Sequence, residues 1–126
     1  MPYLVDTDVL IDVSRSNDAA IDFIDQLDDL WSISIITALE LMVGARNKKE
    51  AGQIDKLVAT YSAIPLTAKI GTSAYDLLRQ FARSHGLRVF DSLIAATAID
   101  RDLKLVTKNK KHFQMISTLK LEIPRY

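Results

Sequence analysis

Short apolar segments alternate with helical patterns along this chain of 126 residues. The segments have the length and apolar content of buried strands, and the stretches between them carry apolar residues at helical spacing. Strands are predicted at Tyr3–Val5, Trp31–Ile35, Ile64–Leu66, Leu103–Val106 and Leu119–Ile123. Strands that alternate with helices form parallel sheets covered by helices on both faces. The sequence therefore predicts an α/β fold, an α/β/α sandwich around a mostly parallel sheet, in a single domain spanning residues 1–126.

The helices are predicted from apolar periodicity together with capping residues at their ends. They are expected from Val9–Val13 onward, from Ser16 or Asn17 to about Asp28, from Thr37 to about Gly44, at Glu50–Tyr61, from Thr67 to Gly86, at Asp91–Asp102 and at Lys110–Ile116. Asp8 is predicted to cap the first helix and Asp91 is a candidate cap of another, whereas Thr37 and Glu40 fit a capping box. Asp12, one turn further along the first helix, is predicted to be solvated.

Charge is unevenly distributed, although the formal net charge is zero. Residues 1–30 contain eight aspartates and one basic residue, Arg15, whereas residues 103–121 contain five lysines and no acidic residue. Two interpretations stay open: two solvated faces, or an acidic site beside a basic rim, as an enzyme that cleaves a polyanion needs.

Composition also limits the class of protein. The chain contains no cysteine, which excludes a disulfide framework and a thiolate metal site and favours a reducing compartment. No apolar run reaches the roughly 18 residues of a membrane span, and no signal peptide is visible at the N-terminus. We therefore expect a cytoplasmic protein that does not interact with membranes.

Acidic side chains follow several of the predicted strands at the point where each strand ends. Asp6 comes directly after the first strand, Glu40 follows the second, and Asp91 begins an apolar helix. Ligands of parallel sheets bind at the carboxyl ends of the strands. Carboxylates gathered there repel one another unless a cation joins them, and Mg²⁺ or Mn²⁺ prefers such oxygen ligands. This predicts metal-assisted hydrolysis of a phosphate ester, with both histidines, His85 and His112, in structural or surface roles.

Four stretches of the sequence together resemble the PIN-domain family, and within it the VapC-type toxins of prokaryotic toxin–antitoxin pairs. They are LVDTDVLID, SIITALELMVGA, RVFDSLIAATAI and LVTKNKKHF, which occur in the order of the family and span nearly the whole chain. The resemblance implies a PIN-like α/β/α fold and a ribonuclease that depends on Mg²⁺ or Mn²⁺ and cleaves structured RNA such as tRNA.

The resemblance also implies roles for particular residues. Asp6, Glu40 and Asp91 match the three central metal-binding acids of the family. Thr7 matches a hydroxyl position beside the first acid. Asn109 stands where the family often has a fourth acid, and an amide there removes one negative charge while keeping a carbonyl oxygen that can bind a hard cation.

The segment around Asn109 carries further candidates. Thr107 matches a hydroxyl position of the family near the fourth acid. Lys108, Lys110 and Lys111 flank Asn109, so we predict that they contact the RNA backbone. A solvated basic loop is the alternative interpretation of these three lysines.

The implied partners are an RNA substrate, a cognate VapB-type antitoxin and a second copy of the chain in a homodimer. The apolar faces at Ile21–Leu27 and Ile54–Tyr61 are interpreted either as contact surfaces for these partners or as core. Two alternative functions stay open. Asp6 and Asp8 also fit the D-x-D start of haloacid-dehalogenase-type phosphatases, as nucleophile and general acid. A non-catalytic PIN-like scaffold that binds RNA or protein is the other.

Overall fold

In the computed structural model, which describes residues 1–61 and 63–126, strands and helices alternate as predicted. The strands are β1 (Tyr3–Val5), β2 (Trp31–Ser32), β3 (Lys104–Val106) and β4 (Leu121–Glu122). The helices are α1 (Thr7–Ser14), α2 (Asp18–Asp25), α3 (Ile35–Val43), α4 (Lys48–Tyr61), α5 (Ala68–His85), α6 (Val89–Asp100) and α7 (Lys110–Phe113). The predicted domain also includes residue 62, which lies outside the described residues.

The described strands form one parallel four-stranded sheet in the order β2-β1-β3-β4. Strand β1 is therefore central. It pairs with β2, where Tyr3 lies opposite Trp31, and with β3, where Val5 lies opposite Val106. Because the strands run in the same direction, their carboxyl ends share one edge, which is where ligands of such sheets bind. The predicted α/β/α architecture is confirmed.

The side chains of β1 divide the hydrophobic core between the two faces of the sheet, because successive residues of a strand point to opposite faces. Leu4 packs with Leu105 into a cluster that α5, α6 and α7 cover. Tyr3, Val5 and Val106 belong to the second cluster, which α1, α2, α3 and α4 cover. The ends of β1 and β3 are thus held rigidly from both sides.

Helix α5 shows how local capping sets the two ends of a helix. The Thr67 hydroxyl accepts a hydrogen bond of 3.1 Å from the amide of Ile70 at the start of the helix. Gly86 ends it in the left-handed conformation, with φ of 69°, which glycine adopts without the steric cost of a Cβ atom. No helix formed by residues 1–61 and 63–126 is both long enough and apolar enough to cross a membrane.

Four of the five predicted strands are shorter than expected, and the last, predicted at Leu119–Ile123, spans only Leu121–Glu122. Strand β2 ends at Ser32 because the chain turns into α3, whose first turn Ser34 caps. The strand expected at Ile64–Leu66 is reduced to one parallel bridge between Ser34 and Ile64. Helix α4, in contrast, begins two residues before the predicted Glu50.

Candidate active site

The carboxyl ends of β1 and β3 bring two distant residues together. Asp6 follows β1 directly, and its backbone amide donates a hydrogen bond of 2.8 Å to the carbonyl of Val106. Thr107 follows β3, and its hydroxyl donates to Oδ2 of Asp6 at 2.8 Å across 101 residues of sequence. Both side chains are buried. The fold thus brings Asp6 and Thr107 together at the edge of the sheet.

Asp6 also begins the first helix, a role that the sequence had assigned to Asp8. The extended backbone of Asp6 precedes α1, and its Oδ1 accepts a hydrogen bond of 2.8 Å from the amide of Thr7. Asp8 lies inside the first turn, where its carboxylate accepts from the amides of Val9 and Lys108. The prediction that Asp8 caps the helix is therefore wrong, because the helix starts as soon as β1 ends.

Asp6 is 4% exposed, and its environment opposes ionisation. Burial raises the pKa of Asp6 to about 7, and the negative charges of Asp8 and Asp91 act in the same direction. Hydrogen bonds from Thr107 and Thr7 lower it and offset only part of this effect. A carboxylate held among like charges in a desolvated place is stabilised when a cation joins it.

Glu40 reaches this region from α3 through a pair of threonines. The hydroxyl of Thr7 donates to Oε1 of Glu40 at 2.7 Å. The fully buried Thr37 hydroxyl lies 3.0 Å from that of Thr7. The capping-box interpretation of Thr37 and Glu40 is wrong, because the α3 cap is Ser34, whose hydroxyl accepts from the amide of Ile36. The two side chains instead connect α3 to α1.

Asp91 lies in the first turn of α6. The sequence had also offered Asp91 as the cap of this helix, and that interpretation is wrong. The helix begins at Val89, and Arg88 precedes it without a capping hydrogen bond from its side chain. Burial raises the pKa of Asp91, while His112 and Arg88 act to lower it. Nδ1 of His112 lies 3.4 Å from Oδ2 of Asp91.

His112 is a neighbour of the site that sequence reasoning missed, since it was assigned a structural or surface role. The two residues of the His112–Asp91 pair are separated by 21 positions and lie on different helices, α7 and α6. The available signal was the position of His112 three residues after Asn109, one helical turn along the helix that follows the β3 strand end.

The donor atoms near Asp6 fit a hard divalent cation. Asp6, Glu40, Asp91 and Asn109 offer carboxylate and amide oxygens, which Mg²⁺ and Mn²⁺ prefer. Among residues 1–61 and 63–126, no group of three histidine, aspartate or glutamate side chains is arranged to hold an ion as it stands. The three-acid metal site therefore stays a prediction, whose strongest support is the raised pKa of the buried Asp6.

The segment after β3 divides the predicted lysines into two kinds. Lys110 and Lys111 are exposed on α7, next to the exposed Asn109. The backbone N–H of Asn109 donates to the hydroxyl of Thr107 at 3.1 Å. The ammonium of Lys108 instead lies 2.5 Å from the carboxylate of Asp12. The prediction that Asp12 is merely solvated is thus wrong, because Asp12 is paired with Lys108 at the end of α1.

An apolar groove of about 260 Å³ borders Glu40 between α3 and the start of α6. Val43 is 88% exposed and Phe90 is 55% exposed along it. In contrast, the faces that the sequence offered as partner surfaces contribute Ile24 and Ile54 to the core. This favours the interpretation of those two faces as core, and exposed apolar surface such as the groove beside Glu40 is typical of interaction sites.

Comparison with known proteins agrees with this fold. The PIN domain family model matches residues 3–117. The chain is 39% identical over 120 residues to Ribonuclease VapC10 of Mycobacterium tuberculosis, which covers 93% of this chain and 90% of that protein. It is 32% identical over 124 residues to Ribonuclease VapC1 of Methanocaldococcus jannaschii, covering 95% of this chain and 85% of that protein.

Two solved structures extend the comparison to three dimensions. A toxin–antitoxin complex from Klebsiella pneumoniae has a chain with a TM-score of 0.82 and 28% identity, with 97% of each chain covered. VapBC2 from Rickettsia felis, bound to a DNA fragment from its promoter, has a TM-score of 0.81 and 27% identity, with 98% of each chain covered.

The chain therefore belongs to the PIN-domain family. Its relatives within that family include proteins named as VapC ribonucleases, matched over 85–90% of their length, as the resemblance of the four sequence stretches had indicated. The haloacid-dehalogenase-type interpretation of Asp6 and Asp8 is wrong, because the family match covers both residues and the Asp8 carboxylate is bound to backbone amides.

Proposed function

We propose that this chain is a metal-dependent endoribonuclease and the toxin of a VapBC-type toxin–antitoxin pair. The observation that carries the proposal is the buried Asp6, whose pKa is raised to about 7 at the edge of the sheet where ligands bind. The ribonuclease names of its relatives support the reaction class. The toxin–antitoxin complexes among similar structures support the biological role.

Asp6, Glu40 and Asp91 are the residues that would hold Mg²⁺ or Mn²⁺. A divalent cation held there supplies positive charge for the phosphate oxygens and promotes ionisation of water at neutral pH. Asn109 contributes a neutral carbonyl oxygen next to this set, so that the site carries one negative charge fewer than a site with a fourth acid.

The remaining polar groups orient these acids. Thr107 donates to one oxygen of Asp6 and the Thr7 amide to the other, so the carboxylate cannot rotate freely. The Thr7 hydroxyl fixes Glu40 in the same way. Groups that orient metal ligands typically affect metal affinity or activity by about 10- to 100-fold.

Lys110 and Lys111 give the proposed RNA a cationic approach to the acids. Both are exposed on α7 directly after Asn109, and cationic side chains of this kind neutralise backbone phosphates. Recognition of structured RNA, such as the loop of a tRNA, depends on shape and on unstacked bases.

The proposed partners are a VapB-type antitoxin and a second copy of this chain, both in the cytoplasm. Sedimentation of the purified chain tests the homodimer. If the groove beside Glu40 is where a second copy packs, Val43→Asp converts dimer to monomer because it buries an unpaired carboxylate. The same substitution at the exposed Leu66, on the loop before α5, serves as the control.

The function is tested by incubating total cellular RNA with purified protein and Mn²⁺, with EDTA in place of Mn²⁺, and with the Asp6→Asn variant. We expect discrete fragments that are absent in both of the latter reactions. Asp55→Asn, on the exposed face of α4, is the matched control and should cleave as the wild type does. Absence of cleavage, together with absence of Mn²⁺ binding by calorimetry, would contradict the proposal and favour a non-catalytic scaffold.

A further inference from the structure

A three-residue cluster joins the end of α1 to the segment after β3 and to the last strand's extension. The ammonium of Lys108 lies 2.5 Å from Oδ2 of Asp12. The hydroxyl of Tyr126 donates to the same oxygen at 2.8 Å. The ammonium also lies 5.5 Å from the centre of the Tyr126 ring. We call Asp12, Lys108 and Tyr126 the clamp.

The clamp is fixed to the core on its outer side. The Tyr126 ring packs against Phe23 of α2, with ring centroids 6.1 Å apart, and Phe23 lies against the core cluster of that sheet face. Asp12 belongs to α1, which the same cluster anchors through Val9 and Leu10. The side chain of Lys108 therefore meets a partner whose position is set by two helices.

The backbone around Lys108 is hydrogen-bonded to the acidic residues at the carboxyl ends of the strands. The Lys108 amide donates to Oδ2 of Asp8 at 2.9 Å. The residue before it, Thr107, donates to Asp6, and the residue after it, Asn109, donates its amide back to the hydroxyl of Thr107. A displacement of Lys108 therefore moves the hydroxyl that orients Asp6.

We propose that Asp12 and Tyr126 are positioning residues, which hold Lys108 so that Thr107 and Asn109 are placed correctly at the acidic site. This inference rests on the proposed function and assigns a role to residues that lie outside the acid set. In this role the Lys108 ammonium binds Asp12 and Tyr126 and so positions Thr107 and Asn109. The sequence had instead suggested that Lys108 contacts the RNA backbone.

Charge and exposure support the positioning role. An exposed ion pair between two flexible side chains contributes little by itself. Here the Asp12 side chain is 22% exposed, one of its oxygens receives both donors, and the aromatic ring adds attraction for the cation. Two interactions of the ammonium, with Asp12 and with the Tyr126 ring, together with the hydrogen bond from Tyr126 to Asp12, limit its motion more than a single surface pair does.

The two roles of Lys108 make different kinetic predictions. A lysine that contacts RNA phosphates acts on binding, so its removal raises KM and makes the salt dependence less steep. A lysine that positions Thr107 and Asn109 acts on the arrangement of reacting groups, so its disruption lowers kcat while KM and the salt dependence stay the same.

The decisive variants are Tyr126→Phe and Asp12→Asn, with Tyr75→Phe and Asp55→Asn as controls on exposed helix faces. Tyr126→Phe keeps the ring and removes only the hydroxyl. We expect each clamp variant to lower kcat about 3- to 10-fold, the effect of removing one hydrogen bond. Amide hydrogen exchange at Lys108 and Asn109 should become faster by a similar factor.

Combination of variants and conservative replacement sharpen the test. The double variant Asp12→Asn with Tyr126→Phe should lose no more than about the larger single effect, because the Tyr126 hydroxyl acts on the Lys108 ammonium only through Asp12. Lys108→Arg, which keeps a cation for Asp12, should retain kcat better than Lys108→Met, which does not.

Unchanged kcat and unchanged amide exchange in both clamp variants would overturn the inference. A raised KM with unchanged kcat and a less steep salt dependence would also overturn it, because those changes indicate a lost RNA contact. The outcome is separable from that of the proposed function. If wild-type protein fails to cleave RNA, the proposed function fails, yet amide exchange still decides the clamp. If Asp6→Asn abolishes cleavage while the clamp variants match their controls, only the clamp is wrong.

Discussion

Asp6 and Asp12 lie at the two ends of the same short helix and have opposite environments. Asp6 is bound by neutral donors, the Thr7 amide and the Thr107 hydroxyl, and burial raises its pKa to about 7. Partial burial also acts to raise the pKa of Asp12. Hydrogen bonds from Lys108 and Tyr126 outweigh this effect, so the pKa of Asp12 is lowered.

Asp12 is thus a structural carboxylate with a cation beside it, whereas Asp6 is a carboxylate that accepts hydrogen bonds from neutral donors. At Asp12 the protein supplies the cation from its own sequence, and the result is a contact between α1 and the segment after β3. At Asp6 the fold supplies hydrogen bonds that fix the carboxylate and neighbouring acids that destabilise its charge. Such an arrangement is typical of functional sites, where charge is held ready for a ligand.

The largest effect should come from removing the acids themselves. Asp6→Ala, Glu40→Ala and Asp91→Ala should each reduce RNA cleavage by about 100-fold or more, because each removes a proposed metal ligand. Removal of a group that only orients such a ligand already lowers metal affinity or activity by about 10- to 100-fold. Initial rates with Mn²⁺ measure this. Normal cleavage by folded variants would mean that these residues are not the metal ligands.

The second effect concerns stability without metal. Between about pH 4 and pH 7, the folded state holds a proton on Asp6 that the unfolded chain has released, so wild-type stability in EDTA should fall as the pH rises through this range. Asp6→Asn removes this dependence. At pH 8 it should raise the free energy of unfolding by about 2 to 4 kcal/mol, since each pKa unit corresponds to about 1.4 kcal/mol.

Denaturant titrations at several pH values provide the measurement, with Asp55→Asn as the control. The stability difference between Asp6→Asn and wild type should disappear near pH 3, where Asp6 is protonated in the folded state and largely so in the unfolded chain. A difference that persists unchanged down to that pH would show that burial of the charge is not its cause.

Asp12→Asn should have the opposite sign and a smaller size. Because the folded state lowers the pKa of Asp12, its charge stabilises the fold above about pH 4, and this contribution is lost as the pH falls below that value. We expect the variant to lose about 1 kcal/mol at pH 7, since the contacts are partly exposed. A gain in stability would mean that Asp12 and Asp6 do not differ as described.

The smallest effect should come from the cations on the surface. Lys110→Glu together with Lys111→Glu should weaken RNA binding and reduce the slope of log affinity against log salt by about 0.7 for each phosphate that is no longer neutralised. Filter-binding titrations at several salt concentrations measure this slope. Lys48→Glu together with Lys49→Glu, a matched exposed pair at the start of α4, should leave it unchanged.

Local patterns predicted those parts of the fold that local forces decide. The strands at Tyr3–Val5 and near Val106, and helix α5 between Thr67 and Gly86, lie where apolar runs and capping residues indicated. Asp6, Glu40 and Asp91 were found as candidates because acids at strand ends of a parallel sheet approach one edge, and the resemblance to the PIN-domain family pointed to the same three residues.

Long-range contacts explain the errors. Thr37, Asp8 and Asp91 all have the composition of helix caps, yet tertiary structure uses Thr37 to meet Thr7, Asp8 to bind the Lys108 amide, and Asp91 to face His112. The partners lie 30, 100 and 21 positions away in sequence. Spacing within a helix carries no information about such partners.

The central place of β1 in the sheet has a consequence for the order of events during synthesis. During synthesis β1 is made before its neighbour on one side, β3, which follows roughly a hundred residues later. Until then Asp6 lacks its hydrogen bonds with the Thr107 hydroxyl and the Val106 carbonyl. Non-local pairing of this kind is also slow to form. Under the proposed function, a ribosome-bound chain that ends before Lys104 should therefore not cleave RNA, so that an inhibitor can be present before the proposed catalytic site is complete.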